Sequence, residues 1–182
     1  WTDMNDDKKP DLVLVGEWMP VTVFVNGGGK LTNKTTDYFE KLYSGWWNKI
    51  LADDFNGDGK VDLVVGNIGL NTQCKASDTE PVEMIYKDFD DNGSVDPIMS
   101  FYIQGKSYPY VTRDEMLDQM SIMRTRFQDY KTYADATLTD IFTAEELKDA
   151  SHLTCNFLKT ALFESDASGK LKEKTLPLEV QS

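Results

Sequence analysis

The side chains best able to do chemistry in this chain are oxygen-bearing residues that recur at fixed spacing in three short loops. Each loop has an acid or amide at positions one, three, five and nine, and an apolar run follows. In such a tight loop, alternate side chains converge while the residues between them point outward. Carboxylate, amide and carbonyl oxygens suit Ca²⁺, which accepts irregular shells of roughly six to eight ligands. The spacing therefore predicts calcium-binding loops.

The predicted ligands are the side chains at these four positions and the backbone carbonyl at position seven. In the second loop they are Asp54, Asn56, Asp58, the Lys60 carbonyl and Asp62. In the third loop they are Asp88, Asp90, Asn92, the Ser94 carbonyl and Asp96. In the first loop they are Asp3, Asn5, Asp7, the Lys9 carbonyl and Asp11.

The residue at position six distinguishes the first loop from the other two. It is Gly59 in the second and Gly93 in the third, but Lys8 in the first. A residue with a Cβ loses about 1–2 kcal/mol in the left-handed conformation that this position requires. The charges of Lys8 and Lys9 also oppose a cation. We therefore expect the second and third loops to bind calcium more tightly, although Asp, Asn and Gly also dominate ordinary turns that hold no ion.

The elements that position these loops are predicted to be short β-strands. Apolar, β-branched runs precede or follow the loops; they are Leu12–Val15, Lys49–Ala52, Leu63–Val65 and Val82–Tyr86. Glycine-rich turns after Val25 and at Gly169 predict two further hairpins. The loops begin at Asp3, Asp54 and Asp88, and repeats at such intervals along a chain are typical of propeller blades or solenoids.

One segment, residues 113–150, has few turn residues and a helical pattern. Thr143-Ala-Glu-Glu146 is a capping-box pattern for a short helix through Leu147. Asp114–Met123 and Tyr130–Phe142 are further helix candidates. The segment is predicted to be a helical insertion in a β domain.

The loop pattern excludes an EF-hand, which needs an acid at position twelve and a helix on each side. Position twelve is Leu14, Val65 or Met99, and the predicted flanks are strands. What remains is a nine-residue loop that joins two strands.

This loop, as in Asp54-Phe-Asn56-Gly-Asp58-Gly-Lys-Val-Asp62, resembles the FG-GAP repeats of the integrin α-subunit propeller and the related VCBS repeats. The first loop departs from the pattern at Lys8. The wider sequence resembles large secreted bacterial FG-GAP/VCBS proteins that often carry an ASPIC/UnbV domain. The segments that carry this wider resemblance are Gly16-Glu-Trp-Met-Pro20, Gly45-Trp-Trp-Asn48, Gly66-Asn-Ile-Gly-Leu-Asn71 and Tyr102-Ile-Gln-Gly-Lys-Ser-Tyr-Pro109.

The resemblance implies a mainly β fold: a partial β-propeller of FG-GAP-type blades with an inserted α-helical segment. Residues 1–112 would form blades with the three loops, 113–150 the helical insertion and 151–182 the returning hairpin of a blade. It also implies a secreted or cell-surface protein with structural Ca²⁺ that serves adhesion or recognition of a protein or glycan. A calcium-stabilised polysaccharide-active enzyme fragment and a structural spacer are the alternatives.

The composition bears on partners. A net charge of −12 argues against nucleic acid and anionic membranes as partners, and the longest apolar stretch is too short and interrupted for membrane insertion. The chain opens with Trp1 in mid-motif, so we expect a piece of a longer protein. About two blades cannot close a ring, and unpaired sheet edges would favour self-association of the fragment, or an open sheet packed against the 113–150 helices. Cys74 and Cys155 could form a disulfide or remain buried thiols.

No enzymatic activity is predicted. His152 is the only histidine, and its neighbours show no nucleophile motif and no zinc-binding cluster. Gly29-Lys30 and Gly105-Lys106 are interpreted as turns rather than phosphate loops. The aromatics are interpreted as packing residues, with a sugar or peptide groove as the alternative; they are Trp18, Trp46, Trp47, Tyr86, Phe101, Tyr102, Tyr108 and Tyr110.

Overall fold

The computed structural model describes residues 1–181, and these are mainly β. The strands are β1 (Leu12–Leu14), β2 (Glu17–Pro20), β3 (Thr22–Asn26), β4 (Leu31–Asn33), β5 (Ser44–Trp46), β6 (Lys49–Asp53), β7 (Asp62–Gly66), β8 (Val82–Lys87), β9 (Asp96–Ile103), β10 (Lys106–Pro109), β11 (Ser151–Cys155), β12 (Ala161–Ser165) and β13 (Leu171–Lys174). The helices are α1 (Thr35–Tyr38), α2 (Arg113–Gln119), α3 (Met123–Arg126), α4 (Tyr130–Ala134), α5 (Leu138–Ile141) and α6 (Ala144–Leu147), and a 3-10 turn covers Leu178–Val180.

The chain forms two compact units. The first contains Trp1–Gln73 and the residues from Cys155 onward, and the second contains Cys74–Thr154. The second unit includes strands as well as the helices of the 113–150 segment, so its ends differ from the predicted ends of the helical insertion. In sequence it separates β7 from β12, two strands that pair within the first unit.

The first unit contains three antiparallel sheets. Their strand orders are β13-β12-β7-β6, β1-β3-β4 and β2-β5. β12 alternates buried and half-buried residues along its length, as expected of a strand with one face on a core. Leu63 and Phe163, both 0 % exposed, lie in that core with Trp47. The predicted hairpins β3–β4 and β12–β13 are confirmed.

The second unit packs one sheet against helices. The sheet has the order β10-β9-β8-β11. Ile85 of β8 and Ile98 of β9 pack against buried methionines of the helical segment, namely Met116, Met120 and Met123. The helices therefore cover the apolar side of the β8–β9 hairpin.

The predicted helices are correct in place but too long. The Asp114–Met123 candidate ends at Gln119, because Met120 leaves the helical conformation (φ −129°, ψ 101°) while its side chain is buried. The Tyr130–Phe142 candidate is two helices, and Thr137 with Asp140 forms a capping box that starts the second of them. The Thr143–Glu146 capping box and the helix through Leu147 are confirmed.

The structure also bears on the predicted glycine turns, the two cysteines and the predicted propeller blades. The Gly29 and Gly105 turns are confirmed, with φ of 102° and 79° between paired strands. Cys74 and Cys155 are both buried thiols, and burial raises the pKa of Cys155 to about 12. The antiparallel sheets are consistent with FG-GAP-type blades, but residues 1–181 form neither a closed ring nor a complete set of blades. Among them no helix combines the length and apolarity needed to cross a membrane.

Candidate metal centre

The three predicted loops share one hairpin register. In each, the residue before position one pairs with the aspartate at position nine: Thr2 with Asp11, Asp53 with Asp62, and Lys87 with Asp96. The loops therefore begin and end at equivalent points of a strand pair. This register brings the first and ninth positions of each loop near each other.

The backbone of each loop enters the left-handed region twice, at positions four and six. In the second loop the two residues are Gly57 (φ 80°) and Gly59 (φ 84°). In the first loop they are Asp6 (φ 58°) and Lys8 (φ 65°), and in the third they are Asp91 (φ 55°) and Gly93 (φ 89°). Lys8 adopts the conformation expected of it and carries the Cβ cost predicted from the sequence.

The aspartate at position one holds the loop backbone in place. Asp54 accepts hydrogen bonds from Gly57, Asp58 and Gly59 N–H at 2.7–3.0 Å, and these bonds, led by that of Gly59, lower its pKa. Asp88 accepts from Asn92 and Gly93 N–H at 3.0 and 2.8 Å. The aspartate side chain thus organises the turn by accepting its backbone hydrogen bonds. The remaining lone pairs of the carboxylate oxygens stay available for a cation.

In the first two loops the aspartate at position nine connects strands. Asp62 is 0 % exposed; its Oδ2 accepts from Phe55 N–H at 3.1 Å and its Oδ1 from Ser165 N–H on β12 at 2.8 Å. Asp11 is also 0 % exposed and accepts from Met4 and Asn26 N–H at 2.9 and 2.7 Å. Both oxygens of each carboxylate therefore serve the fold.

The third loop gathers carboxylates instead. Oxygens of Asp88, Asp90 and Asp96 all lie within 4.8 Å of one another, and this is the one such group of three among residues 1–181. Asp90 Oδ1 is buried and has no hydrogen-bond partner among those residues. Burial raises the pKa of Asp96, the Phe89 N–H opposes that rise, and the charges of Asp90 and Asp88 reinforce it.

These residues fit a hard divalent cation. Three carboxylates at this distance repel one another, and an orphaned buried oxygen needs a partner. The amide oxygen of Asn92, which accepts from Ser94 N–H at 2.8 Å, belongs to the same turn. An all-oxygen set with three carboxylates suits Ca²⁺.

The first loop differs in its charges. Lys9 Nζ lies 3.1 Å from Asp7 Oδ2, and hydrogen bonding to Lys9 lowers the pKa of Asp7. The Lys9 ammonium therefore competes with a cation for the Asp7 carboxylate, which is a predicted calcium ligand.

Of the predicted packing residues, Trp47 is 2 % exposed and stacks on Phe157 at 5.7 Å, and Trp18 contacts Trp46 edge-on at 5.3 Å. Phe101 and Tyr108 instead line a cavity of about 680 Å³ in the second unit. Its lining includes Tyr130, which is 65 % exposed and was not singled out from the sequence because it lies in a predicted helix.

Residues 3–65 match a protein-family model described as an FG-GAP-like repeat. The match covers the first two loops and supports an FG-GAP repeat within residues 3–65, a type of repeat that suggests a β-propeller-like module. The third loop lies outside the matched residues. Searches of the curated proteins and of the solved structures gave no match to this chain.

Proposed function

We propose that the chain is a calcium-binding module of a β-propeller like that of the integrin α-subunit, in a secreted or cell-surface protein of the kind that carries an ASPIC/UnbV domain. The ion is structural, and the module serves adhesion or ligand recognition without enzymatic activity. The observation that carries the proposal is the third loop, where Asp90 Oδ1 is buried without a partner beside two further carboxylates.

The energetic reason is charge. Two like charges about 4 Å apart repel by roughly 1 kcal/mol in bulk water and by more as the effective dielectric constant falls; because Asp88 and Asp90 are only half-buried, the lower figure applies to this loop. A bound cation cancels this repulsion, so that its binding free energy adds to the stability of the folded loop. Loops of modest affinity suit the high calcium concentration outside cells.

Recognition is proposed for the aromatic cavity of the second unit. Phe101, Tyr108 and Tyr130 line it with the guanidinium of Arg113, which lies 5.1 Å from the Tyr130 ring centroid. Aromatic walls with a few polar groups are typical of ligand sites and would accept a glycan or peptide. Loss of glycan-array binding in Tyr130→Ala would support this role, and unchanged binding would contradict it.

Calorimetric titration with calcium tests the metal proposal. We expect two tighter sites, of which Asp90→Ala abolishes one and Asp58→Ala the other. Asp90→Asn and Asp91→Asn form a matched pair, since both remove one charge from the same loop but only Asp90 occupies a ligand position. Equal loss of affinity in both, or loss of the tightest site in Asp7→Ala, would contradict the assignment.

A further inference from the structure

The aromatic cavity of the second unit is bounded by one face of a hairpin and by residues of the helical segment. Its volume of about 680 Å³ lies in the range of pockets that hold a ligand. Phe101 pairs with Tyr108 across β9 and β10, and Ile103 pairs with Lys106, so these four side chains share one face of the hairpin. Tyr130 of α4 lines the same cavity. A largely apolar sheet face and an exposed aromatic ring therefore bound one space.

Tyr130 is held in a fixed position although it is 65 % exposed. Its hydroxyl donates to Asp114 Oδ2 at 2.6 Å, and the guanidinium of Arg113 lies 5.1 Å from its ring centroid. Arg113 is itself anchored, since it donates to the carbonyl oxygens of Phe127 and Gln128, both at 3.0 Å. An exposed ring that is restrained in this way loses little conformational entropy when a ligand covers it.

Several polar groups that line the cavity are engaged by the protein itself. The Tyr133 hydroxyl donates to the Val111 carbonyl oxygen at 2.8 Å, and the Thr112 hydroxyl donates to Glu115 Oε2 at 2.8 Å. Tyr130 and Tyr133 therefore present ring surface rather than hydroxyl groups. A sugar hydroxyl that is buried without a partner costs free energy. The cavity thus suits an apolar ligand with few hydrogen-bond donors better than it suits a glycan.

A proline-rich peptide segment is a ligand of this kind. It populates the polyproline II conformation before binding, so little entropy is lost, and its proline nitrogens carry no hydrogen that burial could leave unpaired. Aromatic-lined grooves are a general mode of binding for such segments. Strand addition, the other mode open to an extended peptide here, is hindered because Pro109 of the edge strand β10 has no N–H to donate.

The charges at the cavity indicate one further residue of the segment. Lys106 and Asp135 line the cavity and form no ion pair among residues 1–181, whereas Arg113 is paired with Asp114 at 3.1 Å. The Asp135 carboxylate can pair with a cationic side chain, and the net charge of −12 attracts basic partners to the chain as a whole. The Lys106 ammonium can donate to carbonyl oxygens of the segment, which have no internal partner in polyproline II.

We propose that this cavity binds a proline-rich peptide segment that carries a lysine or arginine residue, with Tyr108 and Tyr130 as aromatic contacts and Asp135 as the partner of the cation. The proposal rests on the recognition role proposed above for the same cavity, and it names the ligand. It is independent of the calcium proposal, because no predicted calcium ligand lines the cavity.

Calorimetry with the full chain in calcium, at physiological ionic strength, tests the proposal with three peptides of equal length. The first is an oligoproline that ends in arginine, and the second ends in neutral citrulline instead. The third is a glycine–serine peptide that ends in arginine and does not favour polyproline II. The first peptide should bind most tightly, the second about threefold more weakly, and the third without saturation.

Variants locate the binding at the cavity. Tyr130→Ala should weaken binding of the arginine-ended oligoproline about tenfold, because an aromatic wall is lost. Its control is Leu51→Ala, since Leu51 is also 65 % exposed but lies in β6 of the first unit; binding should not change. Asp135→Asn should weaken binding of the arginine-ended oligoproline about threefold and leave that of the citrulline peptide unchanged. Asp118→Asn, at a side chain that is 83 % exposed, should affect neither, and circular dichroism confirms that each variant is folded.

Absence of saturable oligoproline binding would overturn the proposal, as would equal binding of the glycine–serine peptide or equal weakening in Leu51→Ala. The same calorimetry with a panel of neutral and acidic oligosaccharides separates this result from the recognition role. Oligosaccharide binding that Tyr130→Ala abolishes, without peptide binding, would overturn the peptide ligand but retain the cavity as a recognition site. Binding of neither class would overturn both.

Discussion

In the second loop the buried carboxylate of Asp62 joins two strands, whereas in the third loop the equivalent Asp96 lies among carboxylates. Asp62 accepts one N–H from within its loop and another from Ser165 of β12. Asp96 accepts the equivalent loop N–H, from Phe89 at 3.0 Å, and lies close to Asp88 and Asp90. One spacing of residues therefore supports two different tasks.

Strand pairing explains the difference. β12 pairs with β7 as far as Phe163 and Leu63, and two residues further along β12 the N–H of Ser165 donates to Asp62. In the second unit β10 pairs with β9 only from Ser100 to Ile103, which leaves the loop end of β9 without that neighbour. Among the described residues, Asp96 therefore accepts no backbone N–H from an adjoining strand of the kind that Asp62 accepts from Ser165. The ninth aspartate bridges strands where a neighbouring strand reaches the loop, and it turns to the loop interior where none does.

The largest effect is expected for Asp62. Asp62→Ala removes a fully buried acceptor and leaves two N–H groups without partners, which should cost about 3–5 kcal/mol of unfolding free energy in chelator. Asp96→Ala should cost less than about 1 kcal/mol there, because it also removes repulsion. The four tryptophans all precede residue 48 and so report on the first unit; circular dichroism follows the second unit during urea unfolding. Equal costs for the two variants would break the comparison.

The next largest effect is expected for Asp90→Asn, whose change in unfolding free energy should have opposite signs in chelator and in calcium. In chelator, Asp90→Asn should stabilise the second unit by about 0.5–1 kcal/mol, because one of three mutually repelling charges is gone. At calcium concentrations about 100 times the dissociation constant, it should destabilise the same unit by about 2–3 kcal/mol, because the bound ion no longer contributes. Urea unfolding by circular dichroism measures both values. Destabilisation of the same size in both conditions would mean that Asp90 is a structural residue like Asp62.

The second unit also contains an ion pair outside the third loop, between Arg126 and Glu146. The guanidinium contacts both carboxylate oxygens, Nη1 with Oε2 at 3.0 Å and Nη2 with Oε1, and hydrogen bonding to Arg126 lowers the pKa of Glu146 to about 2. A carboxyl with a depressed pKa stabilises the fold above its ordinary pKa, and the contribution is lost as the pH falls toward 2.

Glu146→Gln should therefore cost about 1–2 kcal/mol at pH 7, a range reduced because both side chains are 29 % exposed. The wild-type and variant stabilities in chelator should converge between pH 4.5, the ordinary value of this group, and about 2. Urea unfolding at a series of pH values measures the difference. A gap that stays constant with pH would exclude the ion pair as its cause.

Local features of the fold could be read from the sequence. The loop turns, the glycine-rich hairpins and the Thr143 capping box depend on a few adjacent residues whose backbone preferences are strong. The left-handed conformation of Lys8 follows from its place in the repeat. The sequence also predicts that the third loop binds calcium, because its acids have the same spacing as those of the second loop.

Features that depend on distant pairing could not be read. β7 and β12 pair although the whole second unit lies between them in sequence, so the second partner of Asp62 has no local signal. The helix also ends before Met120, whose side chain is buried, although methionine has a high helical propensity.

The smallest effect concerns position six, where the first loop has Lys8 and the second has Gly59. Lys8→Gly removes about 1–2 kcal/mol of left-handed strain but increases the flexibility of the unfolded chain, a cost of about 0.5–1 kcal/mol, so a net gain of about 0.5 kcal/mol is expected. The 2.6 Å bond from its N–H to Asp3 is retained in the variant. Gly59→Ala is the reverse change: an added Cβ meets nothing within 4 Å, so only backbone strain destabilises it, by about 1 kcal/mol. Tryptophan-monitored urea unfolding in chelator should therefore give opposite signs for the two variants, and destabilisation in both would mean that the loops are not equivalent at this position.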